Sequence, residues 1–124
     1  IPDVTFINLQ YKDFADDLAK VKDELGVTVH NFDDLDHWNN IDDVAALCTA
    51  LDMVTTNHGT VPLISAAVGT PTKLANWKQS PWNTILNNPV GPSVDIFERN
   101  TPESWANVFN LIRDQIHKQK KMEL

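Results

Sequence analysis

Residues 51–71, LDMVTTNHGTVPLISAAVGTP, have the pattern of a buried strand, a tight polar turn and a helix of small side chains. The first turn of a helix leaves backbone N–H groups unpaired, and the helix dipole adds partial positive charge there. A phosphate group can therefore bind at such a turn without a basic side chain. Gly59 allows close backbone approach and Thr60 offers a hydroxyl. We predict a phosphate or diphosphate site at His58, Gly59, Thr60 and Val61; the alternative is a purely structural turn, which is common in α/β proteins.

Outward from this segment, strand-like and helix-like patterns alternate along the whole chain. The predicted strands are 4–8, 27–29, 53–56, 72–75 and 94–97; the predicted helices are 14–25, 41–50, 60–68 and one that begins at 101–103. Gly26 is the expected stop of the first helix and Asn40 the expected cap of the second. The alternation predicts an α/β fold, with a parallel sheet of about five strands flanked by helices in a single domain over 1–124.

A long loop is predicted for 76–93, with one helical turn at 82–86, because this stretch is rich in Pro, Asn and Trp. Parallel sheets bind ligands at the carboxyl ends of their strands. Residues 8–12, His30, 56–61 and 76–82 are therefore expected to converge on one rim.

The charge and cysteine content exclude some classes of function. A net charge of −7 over 124 residues argues against a protein that grips nucleic acid through its overall field. The single cysteine, Cys48, permits no intrachain disulfide and is expected to be a buried thiol, which fits a cytoplasmic location. No apolar run is long enough to predict a membrane span. Because the sequence starts at Ile1 without a methionine, we expect a piece of a longer chain.

Several side chains could assist an anion or a nucleotide. A bound phosphate would favour the charged form of His58, although a turn histidine can also simply bond the backbone. Lys12 could reach an anion as a point charge, or be an ordinary exposed lysine. Gln10 could recognise a base or sugar edge, or pair with the backbone. Trp77 and Trp82 could offer a flat face to a base or sugar, or fill a small core under the loop.

Other reaction classes have little support in the sequence. The segment 33–37, DDLDH, holds closely spaced carboxylates, but it lacks the glycine and terminal glutamate of an EF-hand loop. We therefore predict no metal site and no cofactor. The chain contains no Walker loop, no GxGxxG fingerprint and no GxSxG elbow.

The chain nevertheless resembles one family, through four segments whose order and spacing match from about residue 4 to 108. These are INLQY at 7–11, DDVAAL at 42–47 with ALDMV at 50–54, the 60–71 helix, and the stretch from Trp82 through PVGPS at 89–93. They resemble the heptosyltransferase-like glycosyltransferases of GT-B fold, especially the glycosyltransferase domains attached to tetratricopeptide repeats; O-linked N-acetylglucosamine transferase is a more distant relative.

The resemblance implies the C-terminal, Rossmann-like half of a GT-B enzyme, which holds the nucleotide diphosphate of the sugar donor. It places the donor-phosphate turn on His58, Gly59, Thr60 and Val61. It also places nucleotide-facing residues at Gln10 and Lys12, and the tryptophan after the fourth strand at Trp82. The acceptor side belongs to an N-terminal domain, which the resemblance implies as the partner within the parent protein.

The chain departs from the family pattern at three places. His58-Gly59 stands where the family commonly has Asp or Ser followed by Thr, Leu63 stands where a histidine begins the helix motif, and Val90-Gly91 replaces an aromatic pair. Backbone binding of phosphate depends on the shape of the turn more than on these side chains.

Two functions are therefore expected. The first is a donor-binding domain for a nucleotide-diphosphate sugar, which belongs to an enzyme only if the full-length protein supplies the N-terminal half. The alternative is a degenerate glycosyltransferase-like domain that serves as a structural or protein-interaction module. A flavodoxin-like or receiver-like regulatory domain shares the alternation, but 55–57, TTN, lacks the aspartate that a receiver should carry at the end of its third strand.

Overall fold

The computed structural model describes residues 1–78, 92–100 and 102–123. The chain divides into two compact units: unit 1 spans Ile1–Ala46 and unit 2 spans Leu47–Leu124. Each unit contains its own parallel sheet, so the expectation of an α/β fold with parallel strands and flanking helices is confirmed. Among the residues that the structure describes, no helix combines the length and the apolar character needed to cross a bilayer.

Unit 1 consists of β1 (Phe6–Ile7), α1 (Ala15–Leu25), β2 (Val29–His30) and the start of α2 (Ile41–Ala50), which continues into unit 2. The strands β1 and β2 pair in parallel. Helix α1 ends as predicted: Gly26 takes the left-handed conformation, with φ 65°, and its N–H donates to the Lys22 carbonyl at 3.0 Å. Helix α2 begins as predicted, because the Asn40 Oδ1 accepts the Asp43 N–H at 3.0 Å.

Unit 2 contains β3 (Val54–Thr56), α3 (Thr60–Ala67), β4 (Thr72–Trp77), β5 (Val94–Arg99) and α4 (Ala106–Glu123). Its three strands pair in parallel in the order β3-β4-β5. The described strands therefore form a two-stranded and a three-stranded sheet, which differs from the predicted single sheet of about five strands. The β-favouring runs were located correctly, but β1 and β2 have only two residues each and so offer few backbone groups for a longer ladder.

The core of unit 2 lies on both faces of β4, whose residues from Thr72 to Asn76 are all buried. Successive side chains of a strand point to opposite faces. One set meets α3, since Leu74 packs with Val94 and Ala66. The other set meets α4, where Ala75 packs with Val108 and Ile112. Because β4 is the middle strand and is covered on both faces, its residues are shielded from solvent.

Buried polar groups of β4 are paired, as burial requires. The Thr72 hydroxyl lies 2.6 Å from the Ser65 hydroxyl of α3 and donates to the Thr70 carbonyl at 2.8 Å. The Lys73 ammonium forms an ion pair with Asp95, its register partner on β5. Strand β4 can therefore carry threonine and lysine in the middle of the sheet.

The start of α4 was predicted wrongly. The helix begins at Ala106 instead of 101–103, because the Glu103 N–H donates to the Asn100 carbonyl at 2.7 Å in a turn. The Ala106 N–H then donates to the Ser104 hydroxyl at 3.1 Å. In α4 Phe109 is 52% exposed, whereas Val108 and Ile112 are buried. The helical turn expected at 82–86 lies outside the described residues.

Candidate anion-binding turn

The turn between β3 and α3 occupies Asn57, His58 and Gly59 in unit 2. The strand ends at Thr56, whose hydroxyl donates to the Asn57 carbonyl at 3.0 Å. The helix starts at Thr60, as the sequence predicts. Strand β3 is thus followed by a three-residue turn at the carboxyl end of the sheet, where parallel sheets commonly bind ligands.

Gly59 is the N-terminal cap of α3 and has an unusual backbone conformation. Its φ of 146° and ψ of −160° fall in a region that is essentially restricted to glycine. A Cβ placed on Gly59 would meet nothing within 4 Å. The glycine is therefore required by the path of the backbone and not by a lack of space, which leaves room for a ligand beside the corner.

The amide groups at the start of α3 have no partner among the described residues. No side chain caps the helix, no acidic residue lies in its first turn, and no loop carbonyl accepts from Gly59, Thr60 or Val61. Pro62 is the third residue of the helix and has no N–H, so it removes one donor that would otherwise need a partner. The amides of Gly59, Thr60 and Val61 therefore remain as donors at the start of α3, and the phosphate site stays a prediction.

Helix α3 is held against β4 by its small, buried side chains. Pro62 and Ser65 are buried, and the hydroxyl of Ser65 bonds Thr72 as described above. The helix ends at Ala67, and Gly69, two residues later, has φ 78°. Because this packing fixes the axis of α3, it also fixes where the amides of the first turn point.

His58 is exposed and contacts a tryptophan from the next strand. Its ring meets that of Trp77 edge to face, with centroids 4.7 Å apart and an interplanar angle of 74°. The register of β3 with β4 pairs Thr56 with Leu74, which carries Trp77 past the end of β3 to the turn. The sequence-predicted Trp82 lies outside the described residues. Trp77, which the sequence names with Trp82 as a candidate flat face, lies beside the turn.

Arg99 is a cation at this edge of the sheet that the sequence analysis missed. It is the register partner of Trp77 and lies over the Trp105 ring, 4.4 Å from its centroid. The Arg99 Nη1 donates to the Glu103 carbonyl at 3.4 Å, and its buried Nε has no partner among the described residues. The strand prediction ended at residue 97, whereas β5 continues to Arg99. A prediction that extended this strand to residue 99 would have placed Arg99 at this edge of the sheet.

Gln10 and Lys12 belong to unit 1, whereas His58, Gly59, Thr60 and Val61 belong to unit 2. Gln10 is exposed, and its Nε2 donates to the Lys12 carbonyl at 2.8 Å. Its side chain therefore supports the local backbone, as the alternative interpretation held. Lys12 is also exposed. The convergence of these residues on one rim with the phosphate turn stays a prediction.

The acidic segment 33–37 organises its own loop. The carboxylate of Asp36 accepts hydrogen bonds from the Trp38 N–H at 3.0 Å and from the backbone and side chain of Asn39 at 3.0 and 2.9 Å. The Asn39 bonds are the main cause that lowers the pKa of Asp36. Within 1–78, 92–100 and 102–123, no group of three His, Cys, Asp or Glu side chains is arranged to hold a metal ion.

Cys48 is fully buried, as predicted, and burial raises the pKa of its thiol. A thiol that is held neutral in a packed core is a poor nucleophile. Its carbonyl has a structural role, because it accepts the Thr70 hydroxyl at 2.7 Å.

The fold and the turn define an α/β domain with an uncapped, glycine-led helix at the carboxyl end of a parallel sheet. The chain is similar to Protein FlbA of Caulobacter vibrioides (strain ATCC 19089 / CIP 103742 / CB 15), with 43% identity over 98 residues. The matched region covers 77% of this chain but only 16% of that relative's length. No family model and no solved structure matches the chain.

Proposed function

We propose that this chain is the donor-binding domain of a GT-B glycosyltransferase and holds the diphosphate of a nucleotide-diphosphate sugar at the start of α3. The observation that carries the proposal is the corner at Gly59, where a glycine-only conformation leads into a helix whose first amides have no partner among the described residues. Backbone amides in this arrangement favour negative charge. The resemblance to the heptosyltransferase-like family supplies the identity of the ligand.

The distribution of charge supports an anion in unit 2. Unit 1 has eleven Asp or Glu residues against three lysines, a net charge of −8. Unit 2 has six acidic residues against seven Lys or Arg, a net charge of +1. The acidity of the chain therefore resides in unit 1, and the unit with the phosphate turn does not repel an anion by its net charge.

In the proposed reaction an oxygen of the acceptor attacks the anomeric carbon of the donor sugar, and the bond from that carbon to the diphosphate oxygen breaks. Negative charge grows on the departing diphosphate, where the amides of Gly59, Thr60 and Val61 stabilise it without a metal ion. His58 lies at the same turn and can donate a hydrogen bond to the diphosphate through a ring N–H. Trp77, in contact with His58, bounds the turn on one side. An N-terminal domain of the parent protein holds the acceptor. The parent protein acts in the cytoplasm.

The finer form of the fold is part of the same proposal. Within unit 2 the parallel order β3-β4-β5 is the order that successive strands take in half of a Rossmann-like sheet. The resemblance also assigns nucleotide binding to Gln10 and Lys12 of unit 1 and to Trp82, and these assignments stay predictions.

Calorimetric titration with UDP, ADP and GDP, and with their sugar conjugates, tests the proposal. We expect saturable binding of at least one nucleotide and no turnover by this domain alone. Gly59→Ala should weaken binding at least tenfold, because alanine disfavours the backbone conformation that aims the amides. Gly69→Ala is the matched control: Gly69 also has positive φ with open space around it, but it lies at the other end of α3. Folded protein that binds none of the nucleotides, or equal losses in both variants, would contradict the proposal.

A second candidate is a protein-interaction module, and one observation favours it. Helix α4 exposes the apolar side chains of Phe109, Leu111 and Met122, which are 52%, 56% and 87% accessible. Exposed apolar groups of this size are common where a partner binds. This function predicts no nucleotide affinity, together with a partner that is lost when Phe109 and Leu111 are both changed to serine.

A further inference from the structure

Unit 1 exposes a pair of large aromatic rings that the proposed donor site does not use. Tyr11 follows β1 and Trp38 lies in the segment between β2 and α2. Their ring centroids are 4.9 Å apart at an interplanar angle of 49°, and the two residues are 48% and 65% exposed. The rings therefore contact each other while much of their surface remains open to a ligand.

The two loops that carry these rings are tied together through Asn8, which is buried at the end of β1. Its Nδ2 donates to the Asn31 Oδ1 at 3.0 Å and to the Gln10 carbonyl at 3.1 Å, and its Oδ1 accepts the Gln10 N–H at 3.0 Å. Its carbonyl also lies 3.3 Å from His37 Nε2. Because Gln10 and His37 directly precede the two aromatic residues in sequence, these bonds position the ring pair in the free protein, which lowers the entropic cost of binding.

The ring pair lies in the strongly acidic unit. Asp13 stands two residues after Tyr11, and Asp36 stands two residues before Trp38. Neither carboxylate forms an ion pair in the part of the chain that the structure describes, and Asp36 accepts hydrogen bonds from its own loop alone. Lys12 is a cationic residue in the loop that carries Tyr11. Unit 1 as a whole nevertheless has a net charge of −8.

We propose that the Tyr11–Trp38 pair is a docking site for the guanidinium or ammonium group of a basic peptide segment on a protein partner. A cation over an aromatic face is attracted by the ring quadrupole, and tryptophan provides the best such face. The charge of unit 1 draws a basic segment toward this surface and repels acidic ones. Arginine fits better than lysine because its planar group stacks on a ring and also bonds carboxylates in pairs. The ring pair belongs to unit 1, whereas the anion-binding turn belongs to unit 2.

The test is a titration of the protein into fluorescently labelled hexa-arginine, followed by anisotropy at low ionic strength. Hexa-lysine and hexa-glutamate serve as comparison peptides. We expect saturable binding of hexa-arginine, weaker binding of hexa-lysine and none of hexa-glutamate. The Trp38→Ala variant should raise the Kd about threefold to fivefold, because it loses an exposed cation–π contact. The Trp38→Phe variant should retain part of the affinity, because it keeps an aromatic face.

Two control variants separate stacking from general electrostatic attraction. Phe32→Ala removes another ring of unit 1 that is 47% exposed and should leave the Kd unchanged. Asp23→Asn removes one negative charge on α1 and should raise the Kd less than Trp38→Ala does. Amide NMR spectra of each variant establish that the fold is kept. The inference is overturned if hexa-arginine does not bind, if hexa-glutamate binds equally well, or if Trp38→Ala and Phe32→Ala bind alike.

Discussion

Some polar side chains of this protein form hydrogen bonds that stabilise loops, so they are already occupied before any ligand binds. Asp36 bonds three N–H groups of its own loop, and Asn8 joins two loops of unit 1. The segment 33–37 was considered for ligand chemistry because of its carboxylates, and 8–12 because it follows the first strand. Gly59 is the opposite case, since its value lies in what the backbone can do and not in any side-chain group. The side chains of Asp36 and Asn8 are thus already hydrogen-bonded, whereas the backbone amides at Gly59 remain as donors for a ligand.

Asp36 predicts a pH dependence of stability. Its pKa is lowered in the folded protein, so its contribution to folding is present above the unfolded pKa of about 4 and is lost as the pH falls through the folded value. The difference in the free energy of unfolding between wild type and Asp36→Asn should therefore be constant near neutral pH and shrink in acid.

Chemical denaturation at several pH values measures this difference. Asp34→Asn is the control: it makes the same change in charge in the same loop, where Asp34 accepts no hydrogen bond from the described residues. Equal pH profiles for the two variants would show that the bonds of Asp36 have no effect on stability.

At the scale of elements, local signals set the helix ends that were predicted correctly. The Asn40 cap and the Gly26 stop act within one helical turn, so the sequence nearby contains all the information that they need. Strand ends depend on pairing instead. Strands β4 and β5 extend together to Trp77 and Arg99, two residues past their predicted ends, because each supplies the other's hydrogen bonds.

The contact between α3 and β4 predicts unequal costs for two substitutions. Thr72→Val leaves the buried Ser65 hydroxyl without a partner and should cost about 1–3 kcal/mol. Ser65→Ala should cost less, because the Thr72 hydroxyl keeps its bond to the Thr70 carbonyl. The double variant should lose little more than Thr72→Val alone, since the two residues share one bond.

Urea denaturation of the four proteins gives these free energies directly. Thr55→Val on β3 is the control, because it is the same change at an exposed strand position. Strictly additive losses would contradict the shared bond and would leave α3 positioned by apolar packing alone.

At the scale of the whole molecule, core and charge are distributed unequally between the two units. Among the described residues, Val44 is the buried hydrophobic side chain of unit 1, whereas unit 2 contributes a larger set: Cys48, Val54, Leu74, Ala75, Val94, Val108 and Ile112. Unit 1 carries the acidic excess and the exposed ring pair. Unit 2 carries the packed sheet and the anion-binding turn.

This distribution predicts a difference in local stability. The amides of β4 should exchange with solvent most slowly, since β4 is buried and paired on both sides, whereas β1 and β2 should exchange much faster. Hydrogen exchange followed by mass spectrometry compares peptides from 72–77 with peptides from 4–8 and 27–30. Equal protection of the two sets would mean that the units unfold as one cooperative structure.

The sequence by itself determined the α/β class, the order of the elements, the turn at 57–59 and the position of the small-residue helix. These features follow from hydrophobic periodicity and from turn and cap residues, which act over a few positions. Only the tertiary structure decided that the described strands form two sheets, that α4 begins at Ala106, and that Trp77 and Arg99 end neighbouring strands. Strand pairing joins residues far apart in the chain, and no local pattern specifies which edges will meet.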